Sequence, residues 1–309
     1  MSTLEHERPV GNLDAIYHGA QVITDPRSQD LIDFHALLVK AFAEGEVEPL
    51  SVFQKELGDK SDPCVQFICT CLRDEAERLI SGAYGSVQTS AAYDSVQRGN
   101  GDNILATRFT LTEAYQRGRG ISQAADYMLI EQAKAFCRAH GEKLTAMVAE
   151  CVEDSEGYWN RMMRLDGIPM RRLYAKLADD LLEEIVYRIP PLEWNPDGSA
   201  VSDEVIPEHL QVALSGCRDA VPVDRLSEVI KSWWRAWYIR PEGDFNSSAS
   251  HEHHISIVNQ VLNDAVLGPL SKHKTLIPLS RNDRTSPLRD PNIVICDFNL
   301  ENYIRKRSA

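Results

Sequence analysis

The sequence predicts an α/β (α+β) fold over its first two thirds, followed by a C-terminal region that is mainly helical and loop. Three observations carry that reading. Apolar residues recur at helical spacing at Leu31, Phe34, Leu38 and Phe42, and the period then changes to two over residues 65–72, 79–88 and 103–111. Helical spacing returns at Ala125, Met128, Leu129, Ala133 and Phe136. Pro190 and Pro191 then break the alternation, and beyond them a long helical pattern recurs over residues 224–239.

Taken in order, residues 1–14 read as a polar tail, 15–24 as a short strand, 28–43 as an amphipathic helix and 50–57 as a second helix. The apolar, β-branched runs 65–72 and 79–88 flank Arg73, Asp74 and Glu75, which predicts an antiparallel hairpin. A third strand over 104–111 leads through Arg117-Gly118-Arg119-Gly120-Ile121-Ser122 into a helix that Gly141 is placed to end. Residues 144–151 read as a strand, 155–165 as a helix with Gly167 after it, and 170–175 and 184–189 as last strands. Further on, His251, His253 and His254 fall in an apparent loop, and residues 293–296 form one short apolar strand in a loop-rich tail. The expected organisation is a tail (1–14), one domain (15–190) and an extension (191–309).

With 309 residues and 43% hydrophobic content, the chain has enough apolar material for a sizeable core. A net charge of -13 argues against nucleic acid or an anionic membrane as partner, since both require excess Lys and Arg. Seven irregularly spaced cysteines do not form a secreted disulfide pattern. The opening MSTLEHERPV has no basic segment and no apolar core, and no apolar run approaches membrane-spanning length. The expectation is a cytoplasmic, reduced protein.

The chemistry concentrates at residues 117–122. A strand passing through an Arg- and Gly-rich turn into a helix leaves the first helical N–H groups without intrahelical partners, and the helix dipole adds partial positive charge there. Gly118 and Gly120 let the backbone approach a pyrophosphate, and Arg117 and Arg119 add charge-assisted contacts. The element order β-α-α-β-β-β-α-β-α-β-β, with Arg117-x-x-Gly120-x-Ser122, resembles the GNAT acyltransferase superfamily over residues 15–190; Ser122 stands where that family has Gly or Ala.

The resemblance implies a mixed, mostly antiparallel central sheet flanked by helices. It implies direct transfer of an acyl group from acetyl-CoA or a longer acyl-CoA to an amine through a tetrahedral intermediate, with no covalent enzyme intermediate and no metal. It places the donor on Leu111, Thr112, Arg117, Gly118, Arg119, Gly120, Ile121 and Ser122, a backbone N–H near Leu111 polarising the thioester carbonyl. The amine has to lose a proton, and Glu113, Glu150 and Glu153 are the candidate acceptors. The family's usual Tyr ahead of Gly167 is missing from Trp159-Asn160-Arg161-Met162-Met163-Arg164, which leaves Tyr158 as the nearest general acid.

The acceptor is expected to be an amine-bearing small molecule or peptide. Two alternatives are a carrier-protein donor and a GNAT-like binding module without catalysis. His251, His253 and His254 lack zincin spacing, so no metal is expected. Cys151 reads as a small core residue, and Trp233, Trp234 and Trp237 as a domain core or interdomain contact.

Overall fold

The computed structural model describes residues 20–42, 47–89, 101–113, 121–151, 163–178, 181–190, 194–201, 206–240 and 242–279. The chain divides into two compact units, residues 1–87 with 107–139, and residues 88–106 with 140–309. Each unit is a sheet covered by helices, and most of the strand pairs run antiparallel.

In the first unit, β1 (Ala20–Ile23) pairs antiparallel with β2 (Val65–Arg73), and β2 neighbours β3 (Leu79–Gln88), which neighbours β4 (Ile104–Thr112). A turn at residues 74–78, closed by Asp74 N–H to Arg78 O at 2.9 Å, makes β2 and β3 the expected hairpin. Helices α1 (Gln29–Ala41) and α2 (Leu50–Gly58) lie between β1 and β2 in the chain, and α3 (Ile121–Ala139) follows β4. Ser28 caps α1, its Oγ accepting from the Leu31 N–H, a bond worth about 1 kcal/mol.

Alternate residues of the strands serve opposite cores. Cys69, Cys71, Tyr84, Phe109 and Leu111 pack with Leu31, Phe34, Leu38 and Phe53 of α1 and α2, while Leu72 and Ile80 pack with Ile121 and Ala124 of α3. Helices on both faces explain why β2 and β3 read as nearly continuous apolar runs. Gly82 makes the α1 contact possible, because a Cβ there would lie 2.6 Å from the Phe34 ring and 2.8 Å from the Thr70 carbonyl.

In the second unit the Thr145 and Ala146 N–H groups both reach the carbonyl of Asn103, the residue ahead of β4, at 3.0 Å and bring in β5 (Ala146–Cys151). Beside β5 lies β11 (Ile206–Leu214), antiparallel to it and also to β8 (Arg171–Ala178). β8 also pairs with β9 (Leu181–Glu184) and β13 (Thr275–Leu279), β10 (Val186–Ile189) pairs with β11, and β12 (Val221–Pro222) with β13. Helix α4 (Val223–Tyr238) and helix α5 (Ser248–Val261) cover one face. There Trp233, Trp234, Trp237 and Val258 pack on Ala146, Val148, Leu210, Val212 and Leu214. The tryptophans form a domain core, as expected. Each buries on the order of 200 Å², about 5 kcal/mol of apolar transfer before conformational entropy.

Several elements differ from the sequence reading. The helix expected over 155–165 does not extend to Leu165, because β6 (Arg164–Leu165) and β7 (Ile168–Pro169) form a hairpin. Asp166 (φ 51°) and Gly167 (φ 77°) are its two turn residues; Asp-Gly adopts this left-handed pair readily, so Gly167 closes a hairpin instead of following a helix. The strand expected at 184–189 is two strands parted at Ile185. β11 and β13 were not anticipated, and His251, His253 and His254 lie on α5 and not in a loop. Residues 152–162 and 293–296 lie outside the described residues.

Candidate functional site

In the first unit the candidate site is the passage from β4 into α3. Ser81 Oγ donates to the Leu111 carbonyl at 2.9 Å and so has no further proton; the Thr112 hydroxyl, 2.9 Å away, therefore donates to Ser81 Oγ. The Glu113 N–H is committed to the Ile80 carbonyl at 2.9 Å, and its carboxylate pairs with Lys40 at 3.1 Å. Exposure of Lys40 keeps that pair below about 1 kcal/mol.

Arg117, Gly118, Arg119 and Gly120 lie outside the described residues; Ile121 opens α3, and Ser122 is half-buried in its first turn, which carries no acidic side chain. Two side chains fix this end of the helix. Thr70 Oγ1 donates to the Ala125 carbonyl at 2.9 Å, and Thr110 Oγ1 to Asp126 Oδ1 at 2.8 Å, Asp126 being fully buried. An N-terminus anchored in this way presents its first N–H groups in a fixed direction.

In the second unit Glu150 stands near the end of β5, with the Tyr238 hydroxyl of α4 at 2.6 Å from both carboxylate oxygens. Glu153 and Tyr158 lie outside the described residues. Of the predicted proton acceptors, Glu113 falls in the first unit and Glu150 in the second.

On the opposite face of β5 and β11 lies a cluster that sequence reasoning missed. Glu184 Oε1 accepts from Arg172 Nη1 at 2.8 Å and lies 2.7 Å from His209 Nδ1. Arg172 is 2% exposed and His209 22%. Burial pushes the Glu184 carboxyl up, but the hydrogen bond from His209 and the charge of Arg172 outweigh it and hold the group below the ordinary carboxylate range. These residues come from three strands and share no local spacing. The alternation of Leu210, Val212 and Leu214 was the available signal, since it places His209 and Gln211 together on the other face.

The histidines of α5 do structural work. His251 Nε2 donates to the Arg240 carbonyl and His254 Nε2 accepts from the Arg240 N–H, both at 2.9 Å, so the pair clamps one residue's backbone. Trp194 meets His254 edge to face at 4.2 Å between ring centres. Burial, then the charges of His251 and Arg240, push the His254 imidazole down to about 4. Among the described residues, no helix is long and apolar enough to cross a membrane.

No family model matches the chain, and no curated protein matches it. Solved acetyltransferase structures are similar to it. Arabidopsis thaliana NAA60 with a bisubstrate analogue has 10% identity and a TM-score of 0.38, covering 63% of this chain and 97% of that one. The Sinorhizobium meliloti GNAT superfamily phosphinothricin acetyltransferase with acetyl-CoA has 12% identity and a TM-score of 0.37, covering 63% and 88%. Tetrahymena GCN5 has 10% identity and a TM-score of 0.34, covering 63% and 94%.

Proposed function

We propose that the chain is a GNAT-type N-acyltransferase that moves an acetyl or longer acyl group from acyl-CoA to a primary amine by direct attack. What supports this reading is a strand and a helix that flank the Arg117-x-x-Gly120 sequence. β4 ends at Thr112, Arg117-x-x-Gly120-x-Ser122 follows, and α3 begins at Ile121 with its first turns anchored by Thr70 and Thr110 and no acidic residue in the first turn. A dianionic pyrophosphate gains there from unpaired N–H groups, the helix dipole and two arginines, while the glycines admit it without a Cβ in the way.

The chemistry asks little more of the donor half. The thioester carbonyl needs a hydrogen-bond donor where the oxyanion develops, and a backbone N–H near Leu111 takes that role. Residues from 191 onward supply the acceptor side. The acceptor is an amine-bearing small molecule or peptide.

A thermal denaturation series tests the donor. A ligand that binds only the folded protein stabilises it by mass action, about 2.7 kcal/mol at a hundred times its Kd. Acetyl-CoA or a longer acyl-CoA is expected to raise the melting temperature in a saturable way. No rise with any CoA thioester up to millimolar concentration contradicts the reading.

A further inference from the structure

Resting on that acyltransferase reading, we infer that the chain acylates itself on Lys40, with Glu113 taking the proton that this amine must lose. Lys40 lies in the last turn of α1, and its Nζ donates to Glu113 Oε1 at 3.1 Å. Glu113 directly follows β4, two residues beyond Leu111, beside which that reading puts the thioester carbonyl. Its N–H is bonded to the Ile80 carbonyl at 2.9 Å, so the root of the side chain is fixed at the strand end. The same end of α1 is seated on β4. Leu37, Leu38, Phe109 and Leu111 belong to one core, and the rings of Phe42 and Phe109 meet edge to face at 5.5 Å. All of these residues belong to the first unit.

Three properties suit Lys40 to this role. Its side chain is 70% exposed, and an ion pair so exposed is worth less than about 1 kcal/mol, so Glu113 does not hold the flexible stem in place. An ammonium has no lone pair, and the carboxylate beside it supplies the proton acceptor that attack requires. An amine carried by the chain itself also attacks in a unimolecular step, without the cost of bringing a second molecule into place. The other lysines of the first unit are placed differently. Lys55 is on α2 and Lys60 just beyond it, and the end of α2 lies against the start of α1, since a Cβ on Gly58 would sit 3.5 Å from Pro26 Cγ. At about 1.5 Å per residue, the start of α1 is on the order of 17 Å from Lys40. Lys134 pairs with Glu131 of its own helix at 2.9 Å.

The step balances. The Lys40 ammonium gives one proton to the Glu113 carboxylate, and the neutral nitrogen bonds to the thioester carbonyl carbon. The C–S bond then breaks with its electron pair going to sulfur, and the second proton to leave nitrogen goes to the thiolate. An amide on Lys40 and a free thiol result, Glu113 passes its proton to water, and no oxidant or metal is consumed. The amide is uncharged, so the ion pair with Glu113 is lost.

Incubation of the full chain with acetyl-CoA, followed by intact mass and peptide mapping, tests this. The wild type is expected to gain about 42 Da, the mass of one acetyl group, at Lys40. Labelling there should run about ten times faster or more than at Lys55, Lys60 or Lys134, with a rate constant independent of protein concentration. In urea, where only the chemical reactivity of acetyl-CoA remains, the preference for Lys40 should vanish. Lys40→Arg is expected to abolish the fast gain in mass, and Glu113→Gln to slow it about tenfold or more. Equal labelling of the four lysines in the folded protein, a rate constant that rises with protein concentration, or unchanged labelling of Lys40 in folded Glu113→Gln overturns the proposal. Acetyl-CoA that binds in calorimetry but leaves Lys40 unlabelled overturns the self-acylation and leaves the acyltransferase reading standing. Failure of the wild type to bind acetyl-CoA overturns that reading and this one with it. Mapping of the wild type needs no substitution, so it decides the site even where a variant loses the fold.

Discussion

Arg225 of α4 ties the approach to β4 onto the core of the second unit, and its removal is the sharpest stability test available. Its Nε and Nη2 bond the two oxygens of Asp102 at 2.8 and 2.6 Å, and Nη1 bonds the Ser215 carbonyl at 2.7 Å. The side chains are 22% and 9% exposed, between the surface and the interior. Charge-assisted bonds contribute about 1.5–3 kcal/mol each, and breaking a buried pair costs about 3–5. With the partial exposure discounted, Arg225→Met is expected to cost about 3 kcal/mol. In a unit of this size that corresponds to a fall of about 6–12 °C in melting temperature. Urea unfolding followed by tryptophan emission reads it directly, since Trp233, Trp234 and Trp237 sit in the same core. In a double-mutant cycle with Asp102→Asn, the two losses should fall short of additivity by about 1–2 kcal/mol. A loss below about 0.5 kcal/mol with an unchanged denaturant slope would refute the reasoning.

Two further outcomes are expected. A histidine protonates near 6.5 when unfolded, and His254 near 4 in the fold, so between those values the unfolded state binds a proton that the folded state does not. Stability is therefore complete above about pH 6.5 and falls toward pH 4 by up to about 3 kcal/mol, at 1.36 kcal/mol per unit. His254→Gln should flatten the urea midpoint over that range, and an unaltered pH dependence would contradict the assignment. Gly82→Ala should destabilise the first unit by about 1–3 kcal/mol, because the new Cβ meets the Phe34 ring at 2.6 Å and the Thr70 carbonyl at 2.8 Å. Unchanged equilibrium unfolding would mean that α1 does not seat against β3 there.

What the sequence revealed depended on how local each signal was. α1, α2, β2, β3, β4 and α3 were legible because each carries its own period, cap or turn, and their order suggested the donor turn. The hairpin of β6 and β7 was hidden by apolar residues at helical spacing ahead of it, although Asp166-Gly167 was a sufficient turn signal. β11 was obscured by Pro207, Glu208 and His209 at its start, and its alternation emerges only from Leu210 onward. α5 opens on a serine- and histidine-rich segment whose Ser247 cap reads equally well as loop. The cluster of Arg172, Glu184 and His209 was not legible, because strand pairing alone brings residues so distant in sequence together.

The central claim, an acyl-CoA donor seated on the turn ahead of α3, is tested most directly by calorimetric titration of acetyl-CoA into the wild type and Gly120→Asp. The substitution puts a side chain and a negative charge where the proposed pyrophosphate approaches. The account predicts saturable binding to the wild type, and affinity reduced tenfold or more in a variant whose melting temperature without ligand is unchanged. Equal affinity for acetyl-CoA in the folded variant would contradict it.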